Sequence, residues 1–318
     1  MFEAAEVGNT IDKATYKKAA VKIREALLNV QRELAGSKHS VVVIVAGVEG
    51  TGKPELVNLL LEWMDARGIE THSMWNPSDE ERERPPYWRF WRVLPPRGRM
   101  AVFFDSWYTS PIINRVFKRT DQAEFDQELS DIADFEEMLV RENVIVLKFW
   151  MHVSKSFQKM RLKELEADKR TRWRVNKTDW QYFDKYDSFR ESSEHALRKT
   201  STSEAPWHIV EASDERYRTL TVAKTILETL SKKMEQSRGQ PAIKAQPDRP
   251  KPARRNLISH LDNALKLGAK EYGGELDRLY EKINRLTRKL YEKRRSLICV
   301  FEGPDAAGKG GAIRRLIG

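Results

Sequence analysis

The sequence predicts an α/β fold, a doubly wound parallel sheet that is internally duplicated. Three observations carry that expectation. β-Branched runs alternate with amphipathic helices. Two of these runs lead into Gly-rich loops of the pattern G-x-x-x-x-G-K. The two loops, with the helix and run before each, stand in register at a constant offset of 256 positions.

The elements follow in chain order. Residues 14–35 place Tyr16, Ala20, Ile23, Leu27, Val30 and Leu34 at spacings of three and four, the stripe of an amphipathic helix. Val41–Ala46 is an unbroken apolar run, which suits a strand buried on both faces of a parallel sheet. Gly47-Val48-Glu49-Gly50-Thr51-Gly52-Lys53 follows, then a helix from Pro54 to about Ala66, with the proline in the first turn. Residues 71–99 are rich in Pro, Arg and Trp and read as a loop around a short helix. Further strands are expected at Met100–Phe104, Val144–Val153 and Trp207–Glu211. Helices are expected at 121–143, across the polar stretch 154–205, and at Tyr217–Met234.

Residues 235–256 are Pro- and Arg/Lys-rich with almost no large apolar side chain, the composition of a linker. The pattern then repeats. Leu276, Leu279, Ile283, Leu286 and Leu290 form a second stripe. Leu297–Phe301 forms a second buried-strand run, and Gly303-Pro304-Asp305-Ala306-Ala307-Gly308-Lys309 a second loop. The offset maps Tyr16 onto Tyr272, Ser40 onto Ser296, Gly47 onto Gly303 and Lys53 onto Lys309 without a gap. The expected domains are a first unit at 1–234, a linker at 235–256 and the opening of a second unit at 257–318. The second copy stops inside the helix after its loop, so the chain reads as a fragment of a longer protein.

The loops carry the chemistry. Gly47, Gly50 and Gly52, like Gly303 and Gly308, let the backbone turn so that several N–H groups face one phosphate. The following helix adds its positive end. Lys53 and Lys309 bring a full charge to the phosphoryl group. The Ser/Thr that usually follows the lysine and holds Mg²⁺ is replaced by Pro54 and Gly310. The bland alternative is a Gly-rich turn without a ligand.

Composition narrows the setting. The 318 residues carry 57 Lys+Arg against 47 Asp+Glu, a net charge of +10. A basic balance suits a polyanionic partner. Most of the excess is local: residues 235–295 hold 16 basic and 8 acidic side chains, whereas 1–234 hold 38 and 37. One cysteine, Cys299, excludes an internal disulfide framework or a cysteine zinc cluster and reads as a small buried hydrophobe. The absence of a long apolar run argues against a membrane span. With no leader pattern at the start, the expected setting is cytoplasmic. The six histidines show no metal-ligand spacing.

The second loop, G-P-D-A-A-G-K-G-G at 303–311, resembles the phosphate-loop signature of the polyphosphate kinase 2 family, in which glycine stands at the position of Gly310. Further matches lie in the first copy: Trp88-Arg89-Phe90-Trp91, Leu94-Pro95, Ser106-Trp107-Tyr108, Lys148-Phe149-Trp150, Thr178-Asp179-Trp180, Thr200-Ser201-Thr202 and Ala205-Pro206-Trp207. Two fused copies resemble the tandem subgroup of that family. The resemblance implies a P-loop kinase-like fold with a helical lid. It further implies transfer of a phosphoryl group from inorganic polyphosphate to AMP, giving ADP, with Mg²⁺. Lys309, Asp305 and Lys53 would then be catalytic. Gly47, Gly50, Gly52, Gly303, Gly308 and Gly310 would hold phosphate, and Asp305 and Asp105 the metal. The basic stretch 154–178 falls at the family's lid, where Arg161 and Lys163 would meet the chain from one end and Arg170 and Arg172 from the other. A solvated helix face is the alternative there, since Glu164, Glu166 and Asp168 are interspersed.

The first copy departs from the pattern. Glu49 replaces the loop aspartate, and Phe104-Asp105-Ser106-Trp107-Tyr108 stands where the family reads Asp-Arg-Ser-Trp-Tyr. Ungapped, Asp105 falls on the arginine; with a one-residue deletion it keeps the acidic role and the arginine is lost. Either way a charge beside the transferred phosphate is missing, which predicts a degenerate first copy and a catalytic second one. A rival reading is a catalytically inactive scaffold or binder of single-stranded nucleic acid, since Trp88, Trp91, Trp173 and Trp180 sit among arginines. No RNP, KH or zinc-finger pattern supports it. The oligomeric state, including a homo-oligomer, is left open.

Overall fold

The computed structural model describes residues 1–74, 76–237, 266–293, 295, 297–303 and 305–317. Two compact units emerge, Met1–Lys244 and Ala245–Gly318. The predicted linker beyond residue 237 and residues 257–265 of the predicted second unit lie outside the described residues, as do Ser296 and Pro304.

The first unit is built from α1 (Lys13–Ala35), β1 (Ser40–Gly47), α2 (Lys53–Trp63), β2 (Ile69–Ser73), α3 (Asp79–Arg82), α4 (Trp88–Trp91), β3 (Met100–Asp105), α5 (Thr109–Val116), α6 (Gln122–Arg141), β4 (Val144–His152), α7 (Lys155–Ala167), α8 (Lys177–Asp184), α9 (Tyr186–Thr200), β5 (Trp207–Glu211) and α10 (Glu215–Ser237). The five strands form one sheet in the order β2-β3-β1-β4-β5, and every pairing is parallel. β1 is central, so the loop after it opens at the middle of the sheet's C-terminal edge, where ligands of open α/β sheets bind.

Strand alternation sorts the core onto two faces. Val41, Val43, Val45, Leu147, Phe149 and Met151 pack with α1, α2 and α10. Val42, Ile44, Phe103, Val146 and Trp150 pack on the other face with α5, α6 and α9. The helical stripe of α1 buries Ile23, Leu27, Val30 and Leu34, and Asp12 caps its first turn by accepting from the Ala14 and Thr15 amides.

In the first unit, β2 differs from the sequence expectation. β2 lies where a loop is expected. It is an edge strand with one buried residue, Ile69, so it needs no apolar run to be recruited. The stretch 154–205 is a broken series of α7, a short 3₁₀ turn at Arg172–Arg174, α8 and α9.

The second unit consists of α11 (Ala269–Glu292), the loop 303–308 and α12 (Lys309–Ile317). No residue of α11 is buried. The run Leu297–Phe301 is no buried strand: Ile298 is 86% exposed and Cys299 is exposed. A parallel strand is completed by neighbours on its edges, and the described residues of this unit offer none.

Candidate functional site

The first loop turns through three glycines with positive φ: Gly47 at 132°, Gly50 at 82° and Gly52 at 73°. Gly47 is required by close approach to backbone, and Gly52 by its left-handed φ, since what its Cβ would meet is the movable end of a side chain. A Cβ on Gly47 would stand 2.1 Å from the Met151 carbonyl of β4, and one on Gly52 would stand 2.4 Å from the Arg218 guanidinium. Lys53 opens α2 and curls back over the loop. Its Nζ donates to the Gly47 carbonyl at 2.8 Å and to Glu49 Oε1 at 3.1 Å.

Asp105 ends β3 and faces Lys53. The β2–β3 register pairs His72 with Phe103 but Ser73 with Asp105, a one-residue slip at Phe104. Such an irregularity re-aims a side chain. It leaves Asp105, at the end of β3, lining one cavity with Lys53. Ser73 Oγ donates to Asp105 Oδ2 at 3.2 Å. Burial raises the Asp105 carboxyl above its ordinary range, and the charge of Glu49 adds to that, against the opposing pull of Lys53. Asp179, on α8, is raised by burial too and feels both Glu49 and Lys53.

The loop separates unlike surroundings. On one side lies a cavity of ≈ 110 Å³, lined by Lys53 and Asp105 at its charged end and by Tyr108, Trp150, Tyr182 and Phe189 among its rings. On the other, Arg161, Arg174 and Asp179 line a pocket of ≈ 130 Å³ with Gly50 and Gly52. Arg161 and Arg218 share a third, of ≈ 210 Å³. The Arg161 stem runs over Gly50, 3.7 Å from where a Cβ would stand. Arg174 pairs with Glu55 in the first turn of α2. Burial raises the Glu55 carboxyl, but Arg174 outweighs it and holds the group below its ordinary range. Burial lowers the Arg218 guanidinium.

Of the basic residues expected at the lid, Arg161 reaches the loop. Lys163 and Arg172 are exposed, and Arg170 pairs with Asp168 at 3.2 Å. None of these three lines any of the three cavities described above. Arg174, Arg218, Asp179 and Tyr182 take those places and are absent from the sequence-derived site. Asp179 was within reach, inside Thr178-Asp179-Trp180. Arg218 carries no local signal, because it arrives from α10 at the far end of the unit.

Motifs scattered along the sequence meet beneath the cavity. Glu136 Oε1 accepts from Trp107 Nε1 at 3.0 Å and from the Tyr108 hydroxyl at 2.7 Å. Lys148 Nζ donates to Glu136 Oε2, to the Tyr108 hydroxyl and to the Thr200 carbonyl. Trp207 Nε1 donates to Thr200 Oγ1 at 3.0 Å.

The second loop takes similar backbone turns at its described residues. Gly303, Ala306 and Gly308 take φ of 157°, 62° and 78°, at positions offset by 256 from Gly47, Gly50 and Gly52. Lys309 Nζ donates to the Gly303 carbonyl at 2.7 Å, as Lys53 does to Gly47. Asp305 is exposed, and Gly310 lies in the first turn of α12 with its carbonyl accepting from Arg314 Nε at 3.1 Å.

A five-stranded parallel sheet covered by helices, with a Gly-rich loop closed by a lysine after its central strand, defines an α/β protein. The profile of the polyphosphate kinase 2 family matches residues 10–238 and 266–318, and the chain belongs to that family. It is 45% identical to a polyphosphate:AMP phosphotransferase of Pseudomonas aeruginosa, over 99% of this chain and 64% of the relative. It is 41% identical to one of Pseudomonas syringae, over 99% and 64%. The chain thus spans just under two thirds of these relatives. A crystal structure of a polyphosphate kinase 2 from Pseudomonas aeruginosa matches with a TM-score of 0.67 and 42% identity, covering 99% of this chain and 62% of that one. One from Arthrobacter aurescens matches with a TM-score of 0.68 and 28% identity, covering 80% and 87%.

Proposed function

We propose that the chain is part of a phosphotransferase that moves a phosphoryl group from inorganic polyphosphate to AMP, giving ADP. The observation that carries this reading is the loop geometry, in which Lys53 and Lys309 each close a Gly-rich turn at the start of a helix. The names of the two Pseudomonas relatives supply the donor and the acceptor. Phosphoryl transfer needs positioning and charge neutralisation more than covalent chemistry. Arg161, Arg174 and Arg218 supply fixed positive charge along one flank of the first loop, the flank suited to a polyphosphate chain.

The two units are read as one duplicated element, supported by the matching backbone turns and by the two family-profile matches. The first copy is the degenerate one. Glu49 occupies the lysine that a phosphate would need, and Asp105 has no arginine beside it in sequence. Asp305, Lys309 and Gly310 are then the reactive set. Mg²⁺ fits the donors present: Asp105 is a carboxylate whose burial a divalent cation would offset, and Asp305 is its counterpart at the second loop. Among the described residues no three His, Cys, Asp or Glu side chains cluster to cage a metal, so phosphate oxygens and water would complete its shell. The ion would neutralise charge on the transferred group.

No described helix is long and apolar enough to cross a membrane. A cytoplasmic setting suits a chain with one cysteine.

The test is direct. Residues 1–318, given polyphosphate, AMP and Mg²⁺, should bind tripolyphosphate but form ADP at or near background. Lys53→Ala should weaken that binding roughly tenfold to a hundredfold, the loss of one charge-assisted contact of about 1.5–3 kcal/mol. Robust ADP formation by 1–318 would overturn the division between the copies. Absence of tripolyphosphate binding, with tight binding of single-stranded RNA, would overturn the function.

A further inference from the structure

The helix after the first loop holds an acid that the second loop lacks. Glu55 stands in the first turn of α2, and the residue 256 positions further on is Gly311. Glu55 accepts from Arg174, which comes from the 3₁₀ turn between α7 and α8. Their side chains are 36% and 32% exposed. Both line the ≈ 130 Å³ pocket with Gly50, Gly52 and Lys53.

A second cation stands near the same carboxylate. Glu55 Oε2 is buried without a hydrogen-bond partner among the described residues, and so is Arg218 Nε. Both residues line the ≈ 210 Å³ cavity with Gly52, and Arg218 is 8% exposed. The charges of Arg174 and Arg218 both favour the ionised carboxylate. A buried acceptor and a buried donor of opposite charge, each left unmade, gain by meeting. Glu55 therefore has two arrangements within one cavity, the pair made with Arg174 and a pair still open with Arg218.

Competition with phosphate follows from the charges. A guanidinium takes phosphate in the same bidentate way as carboxylate. A partly exposed ion pair is weak, so an anion with several charges displaces it. The start of a helix favours a negative charge, and Glu55 already supplies one at α2.

We propose that Glu55 is a built-in competitor for phosphate, a latch that holds Arg174 against α2 until a phosphate chain takes the guanidinium and Glu55 turns to Arg218. The inference rests on reading the first loop as a phosphate site. It adds how access to that site is regulated.

Calorimetric titration of residues 1–318 with tripolyphosphate and Mg²⁺ tests this. Glu55→Gln should bind tripolyphosphate roughly threefold to fivefold more tightly than the unsubstituted chain, the ratio that a partly exposed ion pair is worth. Glu55→Ala should show the same gain, so that one variant failing to fold leaves the other to read. Arg174→Gln should weaken binding. The double variant Glu55→Gln/Arg174→Gln should bind no more tightly than Arg174→Gln alone, because the gain comes from freeing that arginine. An equal gain in both backgrounds would show general removal of negative charge and overturn the latch. Unchanged or weaker binding by the Glu55 variants would make the carboxylate a support for Arg174, and would overturn the latch while the loop reading stands. If tripolyphosphate binds neither the unsubstituted chain nor any variant, the loop reading fails and takes the latch with it.

Discussion

Lys148 and Glu136 are joined at 2.5 Å, with 0% and 2% of their side chains exposed. The pair sits on the face of the sheet that carries α5, α6 and α9, directly under the cavity wall formed by Tyr108. Burial lowers the Lys148 ammonium, with Glu136 pulling against it. Through Tyr108 and the Thr200 carbonyl the pair ties the end of β3 to α6 and to the end of α9.

Removing one partner should therefore be far worse than removing both. Lys148→Met strands a buried carboxylate and should cost about 3–5 kcal/mol in urea unfolding. The double variant Glu136→Leu/Lys148→Met should recover a large part of that loss, since a buried ion pair replaced by apolar groups is often near neutral. Equal losses in single and double variants would show that the charges themselves are not what matters.

The loop glycines should separate by their surroundings. Gly47→Ala drives a methyl into the Met151 backbone and should exceed 4 kcal/mol or prevent folding. Gly50→Ala meets nothing closer than 3.7 Å and should cost only the left-handed penalty of about 1–2 kcal/mol. Chemical denaturation of both variants checks the ranking, and a milder effect at Gly47 would contradict the close approach.

Asp105 should show stability traded against binding. Its carboxyl is raised in the fold, so the folded state holds the proton more tightly than the unfolded one. Stability then falls as pH climbs from the ordinary carboxylate range, about 3.9, through the raised value, and the deficit persists at neutral pH. Asp105→Asn should raise the melting temperature at pH 7, with the gain shrinking on acidification. It should also weaken Mg²⁺-dependent tripolyphosphate binding. Calorimetry at pH 5 and pH 7 reads both, and a lower melting temperature at pH 7 would sink the argument.

The strongest sequence signals proved to be those with local causes. The stripe of α1 and the apolar run of β1 depend on periodicity within one element, and each appears within a residue or so of its expected bounds. The loops were legible because Gly and Lys at fixed spacing serve a local turn. β2 was not, because an edge strand such as Ile69–Ser73 is recruited by its neighbour rather than by its own side chains. The exposed run Leu297–Phe301 shows the converse, since strong strand propensity without a partner makes no strand.

The sequence by itself determined the α/β class, the two Gly-rich loops closed by lysine and the family, all of which rest on short-range pattern. Only the tertiary structure decided which charges meet the loop. Arg161 was expected there, but Arg174, Arg218 and Asp179 converge on it from α2-facing turns and helices up to 165 residues beyond Lys53. It also decided that Asp105, through a one-residue slip in pairing, faces Lys53. Long-range packing sets those distances, and no local pattern encodes them.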